Sequence, residues 1–120
     1  MNESEAIDLA LTPHLITDPL TCNEVIGFLN GIITDMAMAE WEAELAANIY
    51  QHKLLISEGK TNAVALVEWK ISELYKKWRL LKLELQKFRA YRQSLRKKEE
   101  TLMGSTKYIR NNYANYPRAI

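Results

Sequence analysis

The residues best equipped for chemistry crowd between positions 87 and 98. Lys87, Arg89, Arg92, Arg96, Lys97 and Lys98 put six bases into twelve residues. Cations gathered on one stretch of helix attract phosphates and other polyanions. Further on, Lys107, Arg110, Tyr113 and Tyr116 interleave bases with tyrosines. That mixture suits a single strand, with cations for its backbone and rings for its bases. Asn111, Asn112 and Asn115 add hydrogen-bonding groups nearby. Structural roles compete with both readings. A basic helix end also complements the helix dipole, and Tyr108, Ile109 and Tyr113 could pack back on the body of the protein.

Other candidates carry less. Glu40, Glu42 and Glu44 are close in sequence, but alternate residues of a helix point in different directions and cannot converge on one ion. His14 and His52 have no second His or Cys at ligand spacing. Cys22 is the only cysteine, so no internal disulfide can form, as suits a reducing cytoplasm. Neither a nucleophile–base pair, a phosphate loop nor a metal set appears. The reading is therefore of a protein that is not an enzyme, with no catalytic residue, metal or cofactor.

The element that must present the bases is a long helical pattern from Thr61 to Met103, 43 residues without Pro or Gly. Val64, Val67, Ile71, Leu74, Trp78, Leu81, Leu85 and Phe88 alternate in steps of three and four. This heptad keeps them on one seam of a helix. The count continues through Arg92, Leu95, Glu99 and Leu102, so the seam turns polar beyond Phe88. A helix of that length spans roughly 65 Å, too long for a compact core, and needs a partner helix.

The partner precedes it, over about 22–58. Met36, Ala39, Ala43, Ala46 and Tyr50 form one seam, with Met38, Trp41, Leu45, Ile49 and Ile56 as a second apolar line beside it. The alanines would let a large residue such as Trp78 approach closely. Asp18 or Thr21 can cap this helix, with Pro19 in its first turn. Gly27 and Gly31 leave open either close packing or a break near Gly31, since two glycines cost about 2 kcal/mol in a helix interior. Between the two long helices, Gly59 suits a left-handed cap and Thr61 an N-cap. So short a connection makes the helices antiparallel neighbours, with the acidic stretch 35–44 opposite 75–84. Residues 3–12 read as a short helix ended by Pro13. Gly104 and Ser105 close the second long helix, leaving 104–120 as a small extension.

Composition agrees with one helical domain over 1–120. Hydrophobic residues make up 48% and charged residues 26%, which excludes a disordered chain. No apolar run approaches the ~18 residues of a membrane span. The opening Met1–Glu5 is acidic and lacks the basic and apolar regions of a signal peptide, so a cytoplasmic protein is expected. The net charge of +1 conceals a division. Residues 1–59 hold ten acids and one base (−9), and residues 60–120 five acids and fifteen bases (+10). Either the acidic arm neutralises the basic arm lying beside it, or the basic arm meets a polyanion.

Leu66, Trp69, Leu80 and Leu83, with Ala90, fall away from the seam of the second helix. A two-helix hairpin would leave them wet, and large apolar patches mark interfaces. They point to a homo-oligomer, a dimer by symmetry preference, or to another protein partner.

The run from Leu74 through Trp78, Leu81 and Phe88 to Leu95-Arg96-Lys97 resembles small helical-hairpin proteins encoded by bacteriophages, some of them near replication and recombination genes. The resemblance covers about residues 60–100. It implies an accessory protein acting on a nucleic-acid machine and carries no catalytic residue across. The expected fold is all-α: a long antiparallel, coiled-coil-like two-helix hairpin with a short N-terminal helix and a small C-terminal extension. The expected function is a non-enzymatic oligomeric accessory role in contact with DNA or RNA. The alternative is a coiled-coil adaptor or inhibitor that binds protein alone.

Overall fold

The computed structural model describes residues 1–118, with side chains described through residue 104. Its order is α1 (Glu3–Leu11), a 3-10 turn (Pro13–Leu15), α2 (Pro19–Ile56), α3 (Asn62–Ile71) and α4 (Glu73–Arg118). The fold is all-α, and the long helices α2 and α4 pack as an antiparallel hairpin. Among the described residues no helix is long and apolar enough to cross a membrane.

Each helix starts where a side chain satisfies its free N–H groups. Asn2 accepts from the Glu5 N–H at 2.8 Å to open α1. Asp18 accepts from the Thr21 N–H at 2.7 Å and from the Thr21 hydroxyl at 2.8 Å to open α2. These bonds favour the charged form and hold the Asp18 carboxyl below its ordinary 3.8. Gly27 and Gly31 do not break α2, which runs through both. After α2 the chain turns at Gly59, at φ +62°, and Thr61 accepts from the Val64 N–H to cap α3. Asp18, Gly59 and Thr61 act where the sequence offered them, whereas the Asn2 cap of α1 was not read from it.

The helix expected over 61–103 is instead two helices. Ser72 is extended, at φ −70° and ψ 150°. Its hydroxyl donates to the Trp69 carbonyl at 2.6 Å and accepts from the Tyr75 N–H at 3.2 Å. It thus closes α3 and opens α4. The interruption shifts the phase of α3 away from the heptad. Ala65 is buried and Trp69 half-buried, whereas Val64, Val67 and Ile71 are exposed. From Trp78 onward the heptad holds, with Leu85 and Leu95 buried and Trp78, Leu81, Phe88, Arg92, Glu99 and Leu102 half-buried. Nor do Gly104 and Ser105 end the second helix, since α4 continues to Arg118. One interior glycine costs about 1 kcal/mol, which is too little to stop a helix without a competing cap.

The chain forms two compact units, Ile32–Phe88 (the hairpin unit) and Met1–Gly31 with the chain from Arg89 on (the end unit). In the end unit Ala6, Ala10, Ile16, Cys22, Val25, Ile26, Leu29 and Leu95 make the core. The Cys22 thiol donates to the Leu95 carbonyl at 3.2 Å. Burial, then the charge of Glu99, pushes that thiol up from its ordinary value. In the hairpin unit the core is Ile33, Leu54, Leu85, Ala43, Ala47 and Ala65, thin because half of it is alanine. There Trp78 Nε1 donates to Glu40 at 2.9 Å and Trp69 Nε1 to the Ala47 carbonyl at 2.8 Å. The first bond confirms the antiparallel register, because position 40 was expected near 79.

Trp78 does not fill the space over the alanines. It packs with Trp69 and Tyr75, ring centroids 6.1 and 5.7 Å away, and Arg79 and Lys82 lie over its ring. The charge division is not cancelled by pairing either. The ion pairs among the described residues are Lys60–Glu68, Lys76–Glu73, Lys87–Glu84 and the N-terminus with Glu24, and none joins α2 to α4. Among the described residues, then, no direct ion pair joins the acids of 35–44 to the bases of 76–82.

Candidate nucleic-acid interface

Packing in the end unit sets which side of α4 is presented. Leu95 is fully buried, and Leu102 and Glu99 are turned partly inward. Residues on the far side of the helix from Leu95 must then face water. Arg89, Arg96 and Lys97 are exposed there, with Gln93 between them. Arg92 lies between Arg89 and Arg96, half-buried, and its Nη1 donates to Asn30 Oδ1 at 3.1 Å. Burial first, then the charges of Arg96 and Arg89, lowers the Arg92 pKa from its ordinary value. The three guanidiniums thus sit within each other's fields on successive turns. None of them forms an ion pair among the described residues.

The structure thins the predicted set. The Lys98 ammonium donates to the Pro13 carbonyl, which ties the 3-10 turn to α4 and takes this lysine out of the exposed group. Lys87 lies in the hairpin unit, paired with Glu84 at 3.4 Å. Lys107, Arg110, Tyr113 and Tyr116 lie outside the residues whose side chains are described. What remains is a ridge of Arg89, Arg92, Arg96 and Lys97. It can take up phosphates at turn-to-turn spacing, bidentately at the exposed Arg89 and Arg96.

The expected partner surface is also redrawn. Leu66, Leu80 and Leu83 are exposed. Trp69 is not available to a partner in the same way, because its indole is bonded to Ala47 and packed edge-to-face with Tyr75 at 4.7 Å. The phase shift at Ser72 turns it inward. Two apolar features went unread as surfaces. The line Met38, Trp41, Leu45, Ile49 and Ile56 is exposed throughout. An open groove of about 260 Å³ lies between Ala39, Glu42, Ala43 and Ala46 of α2 and Leu74, Lys77 and Leu81 of α4. The available signal was the excess of small residues on the α2 seam over the volume needed to fill it.

Of the acidic candidates, Glu40 is engaged by Trp78. No group of three His, Cys, Asp or Glu able to hold a metal ion occurs among the described residues. Compared with protein families, with curated proteins and with solved structures, the chain shows no match.

Proposed function

We propose that this is a non-enzymatic accessory protein of the cytoplasm that holds a nucleic-acid backbone along Arg89, Arg92, Arg96 and Lys97. The supporting observation is the ridge itself, with three guanidiniums on adjacent turns of α4 and no carboxylate paired to them among the described residues. Neutralising phosphates displaces condensed counterions, which gives affinity without sequence preference. The resemblance to phage hairpin proteins fits the same role, and the buried Cys22 thiol suits a reducing compartment.

The test is binding to single- and double-stranded DNA and RNA over a range of salt. Affinity should fall steeply as salt rises. Changing Arg89, Arg96 and Lys97 together to Gln should weaken binding to every sequence and flatten the log–log salt slope by about two to three. Arg92 is left intact, because its bond to Asn30 ties it to α2. A wild-type chain that binds none of these probes at low salt removes this reading. The adaptor reading would then lead, favoured by the exposed apolar line from Met38 to Ile56.

A further inference from the structure

The hairpin unit is unequal on its two sides. One side is filled by Trp69, Tyr75 and Trp78, capped by Arg79 and Lys82. The other is the open groove between α2 and α4. Its α2 wall is three alanines, and its α4 wall carries Leu74 and Leu81. The groove is thus shallow over one helix and ridged over the other. Its rim is charged in the same asymmetric way, with Glu42 on α2 and Lys77 on α4. Neither forms an ion pair within the chain among the described residues.

We propose that this groove binds a second copy of the chain, α2 of each lying on α4 of the other, to give a two-fold four-helix bundle. A two-fold axis parallel to the helices preserves height along them. It therefore sets each α2 wall against the other copy's α4 wall. Leu74 and Leu81 of one copy enter the space over Ala39, Ala43 and Ala46 of the other, twice over. Glu42 and Lys77 lie at one height, since Glu40 meets Trp78, so each Glu42 faces Lys77 of the second copy. Beyond the groove's lining, Met38 and Ile49 on α2 and Leu80 on α4 are 61%, 62% and 64% exposed. Met38 and Leu80 also share a height, and the bundle brings them together. The opposite choice, α2 on α2, would set the acids of 35–44 against their own copies, and like charges so placed oppose association. The shape and the charge of the groove are each complementary to the same groove turned by the two-fold axis, which is the requirement of an isologous interface. Trp69 lies on the filled side, so it takes no part. The residues of this site all belong to the hairpin unit, and those of the arginine ridge to the end unit.

The test uses charge reversal on the full chain in sedimentation equilibrium. The wild type should show a reversible dimer, twice the 13.9 kDa of one chain. Glu42→Lys and Lys77→Glu should each weaken it about tenfold, since each replaces two attractive contacts by two repulsive ones. The double reversal should restore it to near the wild-type constant. Both side chains are exposed, and circular dichroism checks that the helices persist. A wild type that stays monomeric to millimolar concentration overturns the proposal. Single reversals without effect, or a double reversal without rescue, also overturn it, the latter pointing to a partner of another kind or another face.

Discussion

Leu74 and Leu95 occupy the same heptad position, yet the structure predicts unequal costs for removing them. Leu→Ala deletes about three carbons, which at about 0.8 kcal/mol per buried methylene is about 2.4 kcal/mol for a fully buried side chain. Leu95 is 0% exposed. Its removal also leaves a void in a core that relaxes only in part, so Leu95→Ala should cost about 3–4 kcal/mol. Leu74 is 39% exposed and borders an open groove. It buries roughly three-fifths of its surface and encloses no void, so Leu74→Ala should cost about 1.5 kcal/mol. Val67, 61% exposed, should cost about 0.6 kcal/mol by the same reckoning. Urea unfolding followed by circular dichroism and by tryptophan fluorescence measures these values, and coincidence of the two probes checks that a single transition is being read. Because a second copy would cover Leu74, its cost is taken at the lowest usable concentration. A Val67→Ala loss as large as either would refute the assignment of α3 and α4 to different phases, and equal losses for Leu74→Ala and Leu95→Ala would refute the open groove beside Leu74.

Two further outcomes follow from local geometry. Gly27 and Gly31 lie inside α2 with no heavy atom within 4 Å of the Cβ position, so either Gly→Ala change should raise stability by about 0.5–1 kcal/mol, read as an increase in urea midpoint; a loss would mean that α2 is interrupted there. Asp18 has a depressed folded-state pKa, chiefly through its bond from the Thr21 N–H, so it contributes stability that is present above its ordinary 3.8 and is lost as pH falls through the lower folded value. Asp18→Asn keeps a capping acceptor without the charge, and should therefore lower Tm at neutral pH by an amount that shrinks in acid. A difference that is constant with pH would contradict the role of the charge.

Much of the fold was legible because its signals are local. Gly59 and Thr61 mark the turn by their own conformational preferences, and the register of α2 on α4 follows from the length of that turn. Between Trp78 and Leu102 the heptad and the buried side agree. Ser72 was not legible, because a hydroxyl that bonds its own backbone leaves no trace in a hydrophobic pattern. That one residue displaced Val64, Val67 and Ile71 outward and Trp69 inward. The basic cluster was visible as composition, but composition cannot say which cations are engaged. Lys98 is held by a carbonyl 85 residues away in sequence, and Arg92 by Asn30 at a separation of 62. Such contacts exist only after the chain has folded. The alanines at 39, 43 and 46 were read as room for Trp78, but the tryptophan takes the other side, and the room remains as a groove.

The partition of the chain also sets an order of assembly. The hairpin unit is one continuous stretch, Ile32–Phe88, closed around Gly59. The end unit is joined from both termini, and its Cys22–Leu95 contact closes a separation of 73 residues. Loop-closure entropy grows with the logarithm of the span. Bringing 22 and 95 together from a random chain therefore costs about 2 kcal/mol more than doing so once the intervening helices have zipped and only about ten residues remain free. The kinetically favoured route starts at the Gly59 turn and runs outward along α2 and α4, with α1 docking last. On such a route substitutions at the turn and in the aromatic cluster of Trp69, Tyr75 and Trp78 are expected to slow folding, which φ-values would read. The termini then govern how fast the structure opens rather than how fast it forms.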